Sequence, residues 1–297
     1  MEPAPVTAAL PANDQEAIAL LAKMRWPKGF RCRCGYRKHW RIILRPRVFA
    51  CRACSHHTSV TAGTALERTR IPLASWFLAA RLISQPGGCS AASLQRQIGT
   101  CYETAWRLMH RLREAMVDPL IRLKNTPLIS GLAIWCQHPG REQVGGGVAW
   151  VWAASDGEKS VTRFSPNMTA GRLLAAQHSD SRETSSRQPN AAAEHLRQVS
   201  LQTHITHRAV SQRWLARYLR EIDFRANHLL ASVEPAAAVL RAAIRRKYRT
   251  FRQLIPELWC PPTRDLEGPF LGDIAELYRL VPPPPPGRGL RRRDIPR

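Results

Sequence analysis

The sequence predicts an α+β protein of several domains, and three observations predict it. Four of the eight cysteines form two close pairs, Cys32 with Cys34 and Cys51 with Cys54, around a β-prone stretch. From Pro72 to Met116 apolar residues recur at helical spacing. Between 127 and 164 the pattern changes to strand-sized apolar runs, after which helical patterns return.

Composition bounds what such a chain does. Its 297 residues hold 45 Lys+Arg against 22 Asp+Glu, a formal net charge of +23. The length allows two or three domains and a real core, and 44% hydrophobic content is too high for wholesale disorder. Charge of this sign and size points to a polyanion, because each phosphate met by Lys or Arg releases a counterion. Nucleic acid is the leading partner, and an acidic membrane surface or mere solubility are the alternatives. No apolar run reaches the roughly 18 residues of a membrane span; the longest, Val148 to Ala154, is strand-sized. The N-terminal MEPAPVTAALPANDQE lacks a basic start followed by an apolar stretch, so a cytoplasmic location is expected and a secretion signal is not.

Along the chain, residues 15–26 read as a helix, with Asp14 as N-cap and Ala17, Leu20, Leu21 and Met24 at helical spacing before Pro27 and Gly29. The cysteine knuckles follow, Cys32-Arg33-Cys34-Gly35 and Cys51-Arg52-Ala53-Cys54, sixteen residues apart. Clustered pairs in a cytosolic chain read as metal ligands rather than disulfides. Two tight turns facing each other across strands within His39–Phe49 supply a tetrahedral thiolate set for zinc, a zinc ribbon, so Cys32, Cys34, Cys51 and Cys54 are the expected metal ligands. The first knuckle holds one residue between its cysteines where two are usual, and His39, His56 and His57 stand by as substitute ligands. Four ordinary thiols are the alternative.

Leu73, Trp76, Phe77, Ala80 and Leu82 mark the next helix, which Pro86-Gly87-Gly88 ends. Ser90 opens another bearing Leu94 and Ile98; Gly99 and Thr100 interrupt it, and Ala105, Leu108, Met109, Leu112 and Met116 mark a third. The last two form a helix-turn-helix candidate, with Arg107, His110, Arg111 and Arg113 off most of the apolar stripe, where they would meet a duplex. A helical hairpin with a solvated basic face reads equally well.

Leu128–Trp135 is a strand-sized run, and Val148–Ala154 and Ser160–Phe164 flank an Asp156-Gly157 turn, a hairpin signal that makes Asp156 first of all a turn residue. Gln177–Asn190 is polar and loop-like. Ser211 caps a helix to Phe224 with Leu215, Tyr218, Leu219 and Ile222 inward and Arg213, Arg217 and Arg220 on other faces. Pro235 begins another with Leu240, Ala243, Ile244, Tyr248 and Phe251 on one side and Arg241, Arg245, Arg246 and Arg249 on the other. The closing PPPPPGRGLRRRDIPR cannot build a core. The domains are thus 1–62 (helix and zinc ribbon), 63–126 (helical, DNA-binding), 127–230 (strands and late helix), 231–281 (C-terminal helices) and 282–297 (basic tail).

The order RWPKGFRCRCG, FACRACSHHTSVTAGTALERTRIPLASWFLAARL and SAASLQRQIGTCYETAWRLMHRLREAM resembles the zinc-ribbon insertion-sequence transposases of the DDE type, densely over residues 15–120. HRAVSQRWLARYLREIDFRANHL resembles that family's late helix, with its YL-E-FR-N pattern. The resemblance implies that the ribbon and helices bind double-stranded DNA at transposon ends, in a possible homo-oligomer. It also implies that residues 127–230 are an RNase H-like domain whose carboxylates hold magnesium for strand cutting and joining. The family's first catalytic Asp lies in a motif G-x-V-E-V-D-E, matched here by Gly131-Leu132-Ala133-Ile134-Trp135-Cys136-Gln137. Cys136 therefore stands where that Asp is expected and Gln137 where the adjacent Glu is, and a thiol is a poor magnesium ligand. Asp180 is the candidate for the second acid, and Asn190 and Glu194 lie near the third position. Asp156 and Glu158 are possible replacements that a turn also explains, and Glu221 and Asp223 read as partners of Arg217, Arg220 or Arg225. The expectation is a transposase-like DNA-binding protein whose catalytic half is degenerate, with magnesium only if catalysis survives; the alternative is a non-catalytic regulator or inhibitor derived from a transposase.

Overall fold

Helix α1 (Asp14–Arg25) begins at Asn13, whose side chain accepts the Glu16 N–H at 2.9 Å while the Glu16 carboxylate accepts the Ala12 N–H at 2.9 Å. Asn13, rather than Asp14, is thus the cap. The Asp14 carboxylate is used elsewhere: it accepts the backbone N–H groups of Leu73 and Ala74 and pairs with Arg47 at 3.1 Å. Leu73 opens α2 (Leu73–Ile83), whose N-cap position is Pro72, which has no side-chain acceptor, so Asp14 caps it from a distance. The computed structural model describes residues 10–116, 128–136, 147–165, 191–208, 210–229 and 234–250, all within one unit spanning residues 1–259.

Three short antiparallel strands follow α1 in the order β1 (His39–Ile42), β2 (Arg45–Cys51), β3 (His57–Ser59). Trp26, Phe30, His39 and Phe49 pack edge and face at ring separations of 4.9 to 5.3 Å and join this small sheet to the end of α1. Arg25 donates to the Ser59 and Val60 carbonyls, and Arg47 to those of Thr69 and Ile71.

Helix α2 is followed by α3 (Ala91–Ile98) and α4 (Tyr102–Ala115). Ser90 Oγ accepts the Ser93 N–H at 3.2 Å, and Gly99, at φ 62, ends α3 in the left-handed conformation that glycine adopts without steric cost. The C-terminal helix α7 (Pro235–Arg245) returns to this part of the molecule. Its Val239, Leu240 and Ala243 share one apolar core with Leu21 of α1, Trp76 of α2, Leu108 of α4 and Phe49 of β2. That helix stops at Arg245 instead of running on to Phe251, which lies outside the described residues. Tyr248 and Arg249 fall beyond its end.

A second core forms around an antiparallel sheet ordered β4 (Leu128–Cys136), β5 (Gly147–Ser155), β6 (Ser160–Ser165). The β5–β6 turn is the expected one. Asp156 Oδ1 accepts the N–H groups of Glu158 and Lys159 at 3.0 and 2.7 Å, and Gly157 sits at φ 89. Helix α5 (Ala191–Leu201) and, after a π-helical turn at Gln202–Thr206, helix α6 (Gln212–Phe224) cover it, with Leu196, Leu215 and Leu219 against Val151 and Ala153. A second π-helical turn, Arg225–Leu229, follows α6. The described chain is therefore mixed helix and sheet with a ribbon-like module at its N-terminus.

Candidate metal centre and basic surface

Four thiols converge where the β1–β2 hairpin begins and ends. Their Sγ atoms all lie within 4.8 Å of one another. Cys32 to Cys54 and Cys34 to Cys51 are each 3.6 Å, and Cys34 to Cys54 is 3.4 Å. Zinc at about 2.3 Å from each of four sulfurs sets tetrahedron edges of about 3.8 Å, so this donor set fits the ion. A disulfide needs about 2.05 Å, and all four are free thiols.

The shortened first knuckle still closes. The Gly35 N–H donates to the Cys32 carbonyl and the Cys32 N–H to the Tyr36 carbonyl, both at 2.9 Å, with Gly35 at φ 87. In the second knuckle Ser55 takes the left-handed region at φ 54 while its N–H donates to the Cys51 carbonyl at 3.0 Å. His39 packs on Phe30 and Phe49, and neither it nor His56 or His57 joins the sulfur group. Burial pushes the Cys51 thiol up, but the N–H groups of Cys54 and Ala53 and the Cys34 and Cys32 thiols bring it down to about 7. The His56 N–H pulls Cys54 down, yet the Cys34 thiol, burial and the other two sulfurs hold it at about 12. Sulfurs this close cannot all ionise unaided, and a divalent cation removes the conflict.

The electrostatics around this centre are one-sided. Between Glu16 and Glu67 the sequence has no Asp or Glu, while Lys and Arg recur throughout. Cys32 and Cys51 are buried; Cys34 and Cys54 are exposed.

Helix α4 divides the basic residues expected to face a duplex. Arg107 is at the surface, 2.6 Å from Glu103. Arg111 is part-buried, donating to the Glu67 carbonyl at 3.2 Å and lying 4.5 Å over the Tyr248 ring. His110 and Arg113, expected on the same outward face, are each 1% exposed. His110 is stacked 4.1 Å from Trp106 and 4.8 Å from Trp214, and Arg113 donates to Glu221 at 2.5 Å over the Tyr218 ring. Neither guanidinium nor imidazole reaches the solvent from there. Arg107, His110 and Arg111 do line one cavity of about 280 Å³, together with Arg68, Arg70 and Arg249. Among the described residues no carboxylate lines it. Arg68 and Arg70, and their meeting with Tyr248 and Arg249, escape sequence reasoning because the two segments lie far apart in the chain.

The expected catalytic positions are scattered. The backbone of Cys136 ends β4 opposite Gly147. Gln137, Asp180 and Asn190 lie outside the described residues. Glu194 is exposed on α5 and held by Arg197 at 2.8 Å; those bonds keep its carboxyl down at about 2. Asp156 is consumed by its turn and Glu158 is exposed. Glu221 pairs with Arg225 as expected, and Asp223 takes other partners. Glu221 joins Arg225 but also Arg113, while Asp223 accepts the Thr162 N–H at 2.8 Å and bonds His195 at 2.9 Å. Arg217 is likewise buried, 3.5 Å from Glu114. Among the described residues the four cysteines form the group able to hold a metal ion.

A family model, the transposase zinc-ribbon domain, matches residues 12–57. That span runs from the start of α1 through both knuckles to β3. No curated protein and no solved structure matches the chain. No helix among the described residues is long and apolar enough to cross a membrane.

Proposed function

We propose, from the transposase zinc-ribbon match, that this is an insertion-sequence transposase-like protein that binds double-stranded DNA at transposon ends through a zinc-braced ribbon and the arginine-rich cavity beside α4. The observation that carries the reading is the four-thiol centre, built inside a module that has no carboxylate between Glu16 and Glu67. Cys32, Cys34, Cys51 and Cys54 would hold zinc, whose role is to fix the ribbon's fold and so the placement of its cations. Arg107 and Arg111, in a helix-turn-helix arrangement of α3 and α4, would meet phosphates, which supply most of the affinity of such proteins. The protein would act in the cytoplasm. The domain plan of ribbon, helical segment, RNase H-like portion, C-terminal helices and basic tail belongs to the same proposal.

A second reading, a non-catalytic regulator derived from a transposase, is favoured by Cys136 and Gln137, a thiol and an amide at the positions that the resemblance to DDE-type transposases aligns with metal-binding carboxylates. A fluorescent duplex carrying transposon-end sequence tests the first reading. Its affinity should fall by orders of magnitude between about 50 and 200 mM salt, and a flat response would refute phosphate binding. Strand cleavage by the unaltered protein with magnesium would refute the second.

A further inference from the structure

The β1–β2 hairpin ends in a feature that its own folding does not explain. The strands pair to Ile42 opposite Arg45, leaving Ile43 and Leu44 as the two turn residues, and each is 93% exposed. Neither residue has a positive φ, so the turn conformation admits most residue types and asks for no aliphatic side chain in particular. Two large aliphatic side chains are thus held in water side by side with no packing partner in the fold.

The tip stands away from the sulfur cluster: His39 of β1 pairs with Cys51 of β2, and three residues further along β1, roughly 10 Å at about 3.3 Å per residue, Ile42 pairs with Arg45 after a register shift that leaves residues 46–48 without partners on β1. Trp40 and Tyr36, each 42% exposed, lie behind Ile43 and Leu44, and Arg41 and Arg45 flank the turn on either strand. An apolar point between cations, in a stretch with no Asp or Glu between Glu16 and Glu67, complements a partner that is anionic outside and apolar just beneath. Duplex DNA has that layering, and one or two inserted aliphatic side chains are enough to unstack a base step and kink the helix. A bilayer does not suit so small an apolar point, because stable membrane attachment needs a larger buried area or a second anchor.

We propose that Ile43 and Leu44 form a wedge that enters a base step of bound duplex DNA and bends it, with Arg41 and Arg45 on the adjoining phosphates. The proposal rests on the DNA-binding reading above and adds to it a mode of contact.

The test uses the full-length, zinc-loaded protein and a duplex of about 30 base pairs, donor and acceptor dyes at its ends and 2-aminopurine at flexible pyrimidine–purine steps. The wild type should shorten the end-to-end distance and raise 2-aminopurine fluorescence. The I43S/L44S variant alters only exposed side chains. It should keep its zinc and its salt dependence, leave the duplex straight and bind roughly tenfold more weakly. If the wild type binds but neither bends nor unstacks the duplex, or if the variant distorts it equally, the wedge is overturned while DNA binding stands. If the substitutions instead abolish self-association in sedimentation, or uptake by anionic phosphatidylserine vesicles, the tip serves that partner and the wedge is also overturned. Failure of the wild type to bind any duplex at low salt removes both readings together.

Discussion

Arg113 of α4 and Glu221 of α6, 108 residues apart in the chain, meet Nε to Oε2 at 2.5 Å with both side chains closed to water. The same carboxylate takes Arg225, which in turn donates to the Ile83 carbonyl and to Gln202. Two positions on, Asn227 exchanges hydrogen bonds with the backbone N–H and carbonyl of Ser160 at 2.8 and 2.7 Å. The YL-E-FR-N pattern of the late helix thus ties the N-terminal helices to the sheet. Burial pushes the Glu221 carboxyl up, but Arg113 and Arg225 prevail and hold it below the ordinary carboxylate value.

Removing that charge leaves two buried guanidinium groups uncompensated. Glu221→Gln should therefore cost about 3–5 kcal/mol of folding free energy. Urea denaturation measures it, and a loss below about 1 kcal/mol would mean that the pair does not hold the two cores together.

Gly88, at φ 68, lies against this cluster. A Cβ there would sit 2.8 Å from Arg225 Nη2 and 3.0 Å from Glu221 Oε1. Gly88→Ala should lower the melting temperature by several degrees through left-handed strain and displacement of Arg225. An unchanged melting curve would show that the loop has room to move.

Acid should weaken the fold before its carboxylates titrate. Burial, then Arg113 and Arg217, hold His110 well below its usual value of 6.5, and burial with Arg113 brings His207 to about 4. The unfolded chain takes up protons near pH 6.5 that the folded chain refuses, so stability is full above that pH. It falls as pH drops toward 4, by up to about 1.4 kcal/mol per unit for each imidazole. Both His110 ring nitrogens lack a hydrogen-bond partner among the described residues. His110→Phe keeps the ring between Trp106 and Trp214 and should flatten the slope, and a melting series from pH 8 to 5 checks it. A slope equal to that of the wild type would place the proton uptake elsewhere.

Surface and buried arginines of α4 should separate cleanly. Arg107→Ala should leave stability within about 0.5 kcal/mol and reduce the salt slope of DNA binding by about one. Arg113→Ala should instead unfold the protein, so that its binding loss tracks denaturation. Equal effects of the two on a folded protein would contradict this division.

The sequence discloses whatever is decided locally. Helices α2 to α4 follow from apolar spacing, the β5–β6 turn from Asp156-Gly157, and the sulfur cluster from its paired cysteines. What stays hidden depends on distant partners. Asp14 looks like a cap for its own helix because nothing nearby reveals Leu73, 59 residues on. Arg113 and His110 look solvated because their partners, Glu221 and Trp214, lie far along the chain. The arginine cavity is illegible for the same reason, since Arg68 and Arg70 meet Arg249 only after α7 folds back.

Whether a thiol-held metal organises the proposed DNA-binding module is addressed most directly by duplex affinity against salt for the zinc-loaded protein, the chelator-stripped protein and Cys51→Ser. One zinc per chain, a steep salt slope, and loss of most of the affinity on stripping or substitution are predicted. Unchanged metal content in Cys51→Ser, or full affinity in the stripped protein, would contradict that role.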